Sequence, residues 1–178
     1  MNFPDLLRQH SPILLSPEQI ATLNRHYETL VRWNAVMNLT AIQDPEEIVL
    51  RHYCESLFLA RHLPSEPLSI ADIGSGPGFP GFPVAIVRPD CAVTLVESHQ
   101  RKAVFLKEVS RGVPNLSVLS ERAKDVNRAF DWVISRAVRI DEVFAPKLAR
   151  NYAVLSGAEE KGIPLPWGKH RSLVIRST

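Results

Sequence analysis

Cysteine is scarce in this chain. Cys54 and Cys91 are the only two in 178 residues, and they stand far apart in no spacing that suits a metal. A disulfide framework and a zinc ribbon are thereby excluded; no metal is expected, and both thiols are expected free in a reducing compartment. Long apolar runs are missing too. Nothing approaches the roughly 20 residues that a membrane-spanning helix requires. The opening Met1-Asn2-Phe3-Pro4-Asp5 does not have the form of a secretory signal. The expected address is the cytoplasm, with no membrane partner. Aromatic residues make up 7% and do not alternate with basic ones, so a base-stacking platform is not indicated. With no internal repeat and no low-complexity tract, the length fits one domain with an N-terminal extension. A monomer is expected.

The second half is short of acid. Residues 1–100 hold 6 Lys/Arg against 11 Asp/Glu, whereas residues 101–178 hold 15 against 8. A net charge of only +2 therefore hides a basic C-terminal part, which suggests one face suited to a polyanion. A solvated surface with uneven helix charges would give the same count.

What the chain does have is Ile70-Ala71-Asp72-Ile73-Gly74-Ser75-Gly76-Pro77-Gly78-Phe79-Pro80-Gly81. An apolar run breaks into three glycines at alternate positions, as a buried parallel strand does when it turns into a loop that must pass close to a ligand. The next apolar run, Val93 to Val96, ends in Glu97, placed to hold the two hydroxyls of a ribose. A dinucleotide pattern would want its third glycine where Phe79 stands, and no Gly-Lys-Ser/Thr follows to make a phosphate-cradling loop. The Asp-x-Gly-x-Gly-x-Gly form resembles motif I of S-adenosylmethionine-dependent methyltransferases.

Around this motif the pattern alternates strand and helix. Strands are expected at residues 68–73, 92–97, 116–119, 131–135, 152–156 and 173–176. Helices are expected after the glycine loop and over residues 102–110. Before them, Ser16-Pro17-Glu18-Gln19 opens a helix expected to run to about Trp33. An irregular connector is expected at residues 34–40, and Pro45 opens a second helix. Prolines 64 and 67 divide a helical extension (1–66) from a sheet domain (67–178), the two packed as one unit. The fold class is α/β: Rossmann-like, a doubly wound, mostly parallel sheet with helices on both faces. Ligands then bind beyond the carboxyl ends of the strands.

Five boxes carry a closer resemblance: Trp33-Asn34-Ala35-Val36-Met37-Asn38-Leu39-Thr40, Arg51-His52-Tyr53-Cys54-Glu55-Ser56, Gly74 to Pro83, Arg101 to Leu106, and Ser135-Arg136-Ala137. In this order the chain resembles the RsmG (GidB) family of bacterial 16S ribosomal RNA guanine-N7 methyltransferases over most of residues 16–140. The resemblance implies S-adenosylmethionine as cofactor. It implies guanosine 527 of 16S ribosomal RNA, bare or in an assembling small subunit, as acceptor. It implies cofactor contacts at Gly74, Phe79, Ala123, Lys124 and Arg136, beside Gly76, Gly78 and Glu97 already expected from the glycine loop and the acid that follows it, with Asn34, Asn38 and Thr40 as part of a wall over the cofactor mouth. The chain departs from the family in having Lys124 where an acid is usual and Glu55 in place of aspartate. Only about 20 residues follow Gly157, which leaves room for a sheet of fewer than seven strands.

Guanine N7 carries an in-plane lone pair and no proton. Attack on a sulfonium methyl therefore needs positioning at about 3 Å rather than a base, and orientation alone can supply roughly 7–11 kcal/mol. The absence of a triad or of paired carboxylates is compatible with that chemistry. Arg136 is the expected positioning residue, forking to a phosphate, to the guanine O6 edge or to the cofactor carboxylate. Arg101, Lys102 and Arg122 are expected RNA contacts. His52 is expected to pack in a helix–loop junction, and Phe79 to form a proline-stiffened wall beside the cofactor. Read without the resemblance, the residues leave open a small-molecule methyltransferase or a cofactor-binding scaffold.

Overall fold

The computed structural model describes residues 1–136, 148–157 and 161–177. Within them, β1 (Ser69–Ile73), β2 (Ala92–Val96), β3 (Leu116–Leu119), β4 (Trp132–Arg136) and β5 (Asn151–Ser156) run parallel. β6 (Ile163–Pro164) and β7 (Ser172–Ser177) complete the sheet by antiparallel pairing, β7 against β5 over six positions. The order is β3-β2-β1-β4-β5-β7-β6. Each expected strand is found within one residue at either end. The short stretch after Gly157 nevertheless supplies two strands, so seven are present among the described residues. β6 has only two residues, one of them proline, and so offers no alternation to read.

Alternation along the strands sorts their side chains into two cores. Ile70, Val93, Leu95, Ile134 and Leu155 join the larger core, and every described α-helix contributes to it. Ala71, Ile73, Val96, Val133, Tyr152 and Val154 face a smaller one, closed by Val126, Phe130, Leu148 and Ala149. The expected helices are thus seen on one face. Residues 137–147, which include Ala137 of the Ser-Arg-Ala box, lie outside the described residues.

Four helices precede the sheet. α1 (Phe3–His10), which the sequence pattern did not reveal, is capped by Asn2 and buries Phe3, Leu6 and Leu7. α2 (Pro17–Met37) begins with the reciprocal bonds of a capping box, Gln19 N–H to Ser16 Oγ and Ser16 N–H to Gln19 Oε1. It runs a turn beyond Trp33, because Asn38 rather than Asn34 takes the left-handed conformation that ends it (φ 50°). α3 (Pro45–Ile48) passes through a π-helical turn (Val49–Cys54) into α4 (Glu55–Arg61). The remaining helices are α5 (Gly81–Val87), directly after the glycine loop, and α6 (Gln100–Val109). None of the described helices is long and apolar enough to cross a membrane.

The turn from β1 into α5 is fixed from both sides of the chain. Gly74 and Ser75 N–H donate to the Val96 carbonyl at the tip of β2 (2.9 and 3.1 Å). Asp72, fully buried, accepts from Gly81 N–H through Oδ2 (2.8 Å), while its Oδ1 has no partner among the described residues. Burial pushes this carboxyl up to about 7, against the lowering effect of the Gly81 bond. From α2, His26 reaches the loop itself. The Pro77 carbonyl can only accept, so Nε2 carries the proton and donates to it (2.9 Å), leaving Nδ1 to accept from Tyr53 Oη (2.7 Å). Burial brings His26 down to about 3, so the ring is neutral.

These two groups bend stability with pH in opposite senses. Between about pH 4 and 7 the folded chain keeps the Asp72 proton that the unfolded chain has lost, so this group's contribution falls as pH rises. His26 takes up a proton only in the unfolded chain below about 6.5, so its contribution falls as pH drops toward 3. Asp72→Asn removes the first and leaves the second. Urea unfolding should show the variant losing more stability than the parent on going from pH 7 to pH 4, by on the order of 4 kcal/mol. Parallel profiles would mean that Asp72 is ionised throughout.

Candidate functional site

The strand order reverses at β1, and ligands of such sheets bind in the crevice that opens there beyond the carboxyl ends. Two cavities lie along this edge. One, of about 270 Å³, is lined by Ile73, Gly74, Val96, Ser98, Glu121, Arg122 and Ala123, at the tips of β1, β2 and β3. The other, of about 510 Å³, lies beyond β4 and β5 and includes Arg51, His52, Arg136, Leu155 and Arg171 in its walls. The two share no lining residue among the described ones.

At the first cavity, Glu97 caps the end of β2 and is largely buried. Its Oε2 accepts from Gly76 N–H (2.9 Å) and its Oε1 from His99 N–H (2.8 Å). Each oxygen keeps a lone pair for a hydroxyl donor. A Cβ built on Gly76 would meet nothing nearer than the Gly74 carbonyl oxygen at 4.0 Å, so the space above this left-handed residue (φ 54°) is open. Gly81 is the opposite case: a Cβ there would come within 2.4 Å of Leu95 and 2.7 Å of Asp72. The first glycine leaves room for a ligand, and the second lets α5 pack on the sheet. Apolar Ile73, Val96 and Ala123 beside Gly74 and Glu97 make a seat that fits the adenosyl part of S-adenosylmethionine.

Gly74 and Ala123 line this cavity, and Gly76 and Glu97 are joined to each other by a hydrogen bond beside it. Arg122, expected as an RNA contact, lines this nucleoside cavity. The exposed Lys124 follows Ala123 in a short 3-10 turn (Ala123–Asp125). Arg101 and Lys102 sit in the first turn of α6, just beyond Glu97, the former exposed and the latter half-buried. Two expectations need correction. Phe79 is no wall of the cofactor mouth, because its ring is 1% exposed and packs among His26, His52 and Tyr53. Gly78 faces His26 and Phe82 rather than open space. Asn34 and Asn38 likewise do not border the nucleoside cavity; with Thr40 they line a third cavity of about 650 Å³ in the helical extension, which meets the arginine cavity at Ile42.

Arg136 ends β4 where the sequence put it. Its Nη1 donates to the Arg51 carbonyl (2.8 Å) and to His52 Nδ1, and the guanidinium lies 5.4 Å over the Phe79 ring. Since an arginine only donates, His52 Nδ1 is the acceptor and its Nε2–H points to Thr40 Oγ1 (2.8 Å). Burial, and then the Arg136 charge, holds His52 well below the usual imidazole range, so it is neutral. His52 does occupy a helix–loop junction, as expected, and it also orients Arg136. Burial lowers Arg136 to about 10, with Glu55 opposing, and it stays charged at neutral pH.

Sequence reasoning missed Arg171 and the use of Glu55. Glu55 is fully buried and accepts from Arg171 Nε and Nη2 (2.7 and 2.5 Å), a forked pair between residues 116 apart. No local pattern announces such a partner. The one available signal was a carboxylate among the apolar residues of α4.

A family model described as rRNA small subunit methyltransferase G (GidB) matches residues 19–152, from the first turn of α2 to the start of β5. The chain is 44% identical over 119 residues to a ribosomal RNA small subunit methyltransferase G of Nitrosomonas europaea, covering 65% of this chain and 55% of that protein. It is 36% identical over 158 residues to the protein of the same name from Lactococcus lactis subsp. lactis, covering 81% and 66%. The chain thus spans between about half and two thirds of these relatives. Among solved structures, a SAM-dependent methyltransferase from Aquifex aeolicus aligns with a TM-score of 0.54 at 17% identity, over 72% of this chain and 77% of that one. A precorrin-6y C5,15-methyltransferase from Geobacter metallireducens aligns with a TM-score of 0.51 at 13% identity, over 69% and 66%. These two share the fold. The family match runs through the glycine loop, Glu97 and Arg136 alike, and the chain belongs to the rRNA small subunit methyltransferase G family.

Proposed function

We propose that this chain methylates N7 of a guanosine in 16S ribosomal RNA, with S-adenosylmethionine as the methyl donor. One observation carries the reading: a nucleoside seat and an arginine-walled cavity lie side by side on one carboxyl edge. Gly74, Gly76, Glu97 and Ala123 would hold the adenosyl part of the donor. Bound there, S-adenosylmethionine supplies a methyl group on a sulfonium, with a neutral thioether as leaving group.

The acceptor nitrogen has a lone pair and no proton, so no side chain need act as a base. What the chain must do is hold the base in line. Arg136 is suited to this because its orientation is set by Arg51, by the neutral His52 ring and, through that ring, by Thr40. An apolar, uncharged acceptor cavity would favour a small-molecule substrate; the arginine-walled one favours a polyanion.

The reading is tested by incubating the chain with tritiated S-adenosylmethionine and deproteinised ribosomal RNA, and by locating N7 methylation through chain cleavage at the modified base. Label at one guanosine of the small-subunit RNA is expected. Label on a metabolite, or none despite tight binding of S-adenosylhomocysteine in calorimetry, would overturn the reading. NADH, run in parallel, should give no heat. Arg136→Ala should lower transfer about 100-fold while costing no more than about 2 kcal/mol of folding stability; equal loss of both would make the residue structural.

A matched pair of glycine variants tests the seat. Gly76→Val places bulk in open space and should abolish S-adenosylhomocysteine binding while costing about 1–2 kcal/mol for the left-handed backbone. Gly81→Ala should destabilise by more than this through its clash with Leu95 and Asp72. Undiminished affinity in Gly76→Val would remove the ligand from this loop.

A further inference from the structure

The shape of the space around His26 does not call for a histidine. The ring is 1% exposed and enclosed by aromatic side chains. Phe82 stacks on it with centroids 4.2 Å apart, and Phe79, Tyr53 and Phe105 meet it edge to face at 5.2, 5.7 and 5.8 Å. Phenylalanine would fill such a cage without the cost of burying two polar nitrogens. What the imidazole adds is a directed pair of hydrogen bonds, and one of them ends on the glycine loop. Its Nε2–H donates to the Pro77 carbonyl (2.9 Å), while Nδ1 accepts from Tyr53 Oη (2.7 Å).

The Pro77–Gly78 peptide is thereby held at both ends. Its carbonyl accepts from His26, and its N–H donates to the Ser75 carbonyl (2.8 Å). A peptide unit is planar, so two opposed bonds fix how its plane is turned. Gly78 itself restrains that plane little, and it is needed for another reason. A Cβ on Gly78 would stand 3.3 Å from His26 Nε2 and 3.2 Å from the Phe82 Cβ. The third glycine of the motif thus makes room for the imidazole, whereas Gly76 leaves its space open. The loop N–H groups donate to Val96, Glu97, Ser75 and Asp72, all of the sheet domain. Among the described residues, His26 makes the one hydrogen bond from the helical extension to residues 74–80.

We infer that His26 is a positioning residue of the cofactor seat. By holding the Pro77 carbonyl it keeps Gly76 and its neighbours in the conformation that receives the adenosyl group, and Tyr53 fixes the tautomer that can do so. This rests on the reading of Gly74, Gly76 and Glu97 as that seat. Burial keeps the ring neutral at neutral pH, with one proton and one lone pair to place. Tyr53 Oη can give its proton only to a bare Nδ1, which leaves the ring proton on Nε2. Tyr53 belongs to the π-helical turn, and its neighbour His52 orients Arg136. One turn of the extension therefore acts on the loop through Tyr53 and His26, and on Arg136 through His52.

The test compares the full chain with His26→Phe, which keeps a ring in the cage and removes the donor, and with His26→Gln, whose amide N–H can take the place of Nε2–H. Affinity for S-adenosylhomocysteine is read by calorimetry under conditions where urea unfolding shows each chain to be folded. His26→Phe should weaken binding about tenfold, the order of one lost hydrogen bond, and His26→Gln should return it to within about threefold of the parent. A packing role alone would lower the unfolding midpoint and leave the affinity of the folded chain unchanged; that result overturns the assignment. Equal loss of affinity in both variants also overturns it, because the donor would then not be what matters. If His26→Phe does not fold, nitrogen NMR of the labelled histidines in the parent decides. The His26 signals should show the Nε2–H tautomer and shift as S-adenosylhomocysteine saturates the chain. An Nδ1–H tautomer, or signals that saturation leaves in place, rejects the role. A folded parent that binds no S-adenosylhomocysteine overturns the seat itself, and the role of His26 with it.

Discussion

Everything at the carboxyl edge depends on how one turn is held. The chain leaving β1 must bend sharply, keep its backbone bare above Gly76, and enter α5 close against the sheet. Glycine permits the bend but does not choose it, because an unconstrained glycine turn samples many conformations. The choice comes from three hydrogen-bonded anchors: the Val96 carbonyl on Gly74 and Ser75, the Asp72 carboxyl on Gly81, and the His26 ring on Pro77. The third comes from the helical extension, which is therefore part of the site's support and not an appendage to it. His26 does this only as a neutral ring, since the tautomer that donates to Pro77 must also accept from Tyr53.

The same economy of charge recurs across the edge. Asp72 and His26 are buried under conditions that suppress their charge, and His52 is held neutral beside Arg136. Charge is left where a ligand can meet it, on Arg136 at the second cavity. Neutral polar groups orient the Arg136 guanidinium without cancelling it, whereas Glu55 both orients and neutralises Arg171. A carboxylate in the place of His52 would orient Arg136 as well, but would neutralise it and leave less for an anion outside.

How much of this was legible in the sequence follows from the range of each interaction. Strand ends were readable to within a residue, because a buried parallel strand is a local apolar run and its limits are set by local breakers. Gly74, Gly76 and Glu97 were readable for the same reason, as a strand, a turn and the tip of the next strand. The direction of Phe79 was not. A loop position says that a residue is near a ligand, not which way its ring turns, and here the aromatic cluster around His26 draws the ring inward. The end of α2 lies a turn beyond the expected one because Asn34 and Asn38 are equally plausible stops; only the backbone conformation of Asn38 decides between them. Glu55 and Arg171 lie beyond any local reading, since nothing between them encodes their meeting.

That last pair says what the final stretch of the chain is for. A buried ion pair is seldom worth more than a well-packed apolar pair of the same volume, because desolvation offsets the attraction. Apolar residues at 55 and 171 would therefore hold α4 against β7 about as firmly. What they could not do is fix the plane of a guanidinium. Both nitrogens of the fork are engaged by the two Glu55 oxygens, so the rest of the Arg171 group is presented to the cavity in one orientation. β7 can deliver it there because six registered positions tie that strand to β5, whose carboxyl end is itself part of the cavity wall. The antiparallel strand at the end of the described chain thus acts less as extra sheet than as the carrier of one side chain back to the place where β4 delivers Arg136.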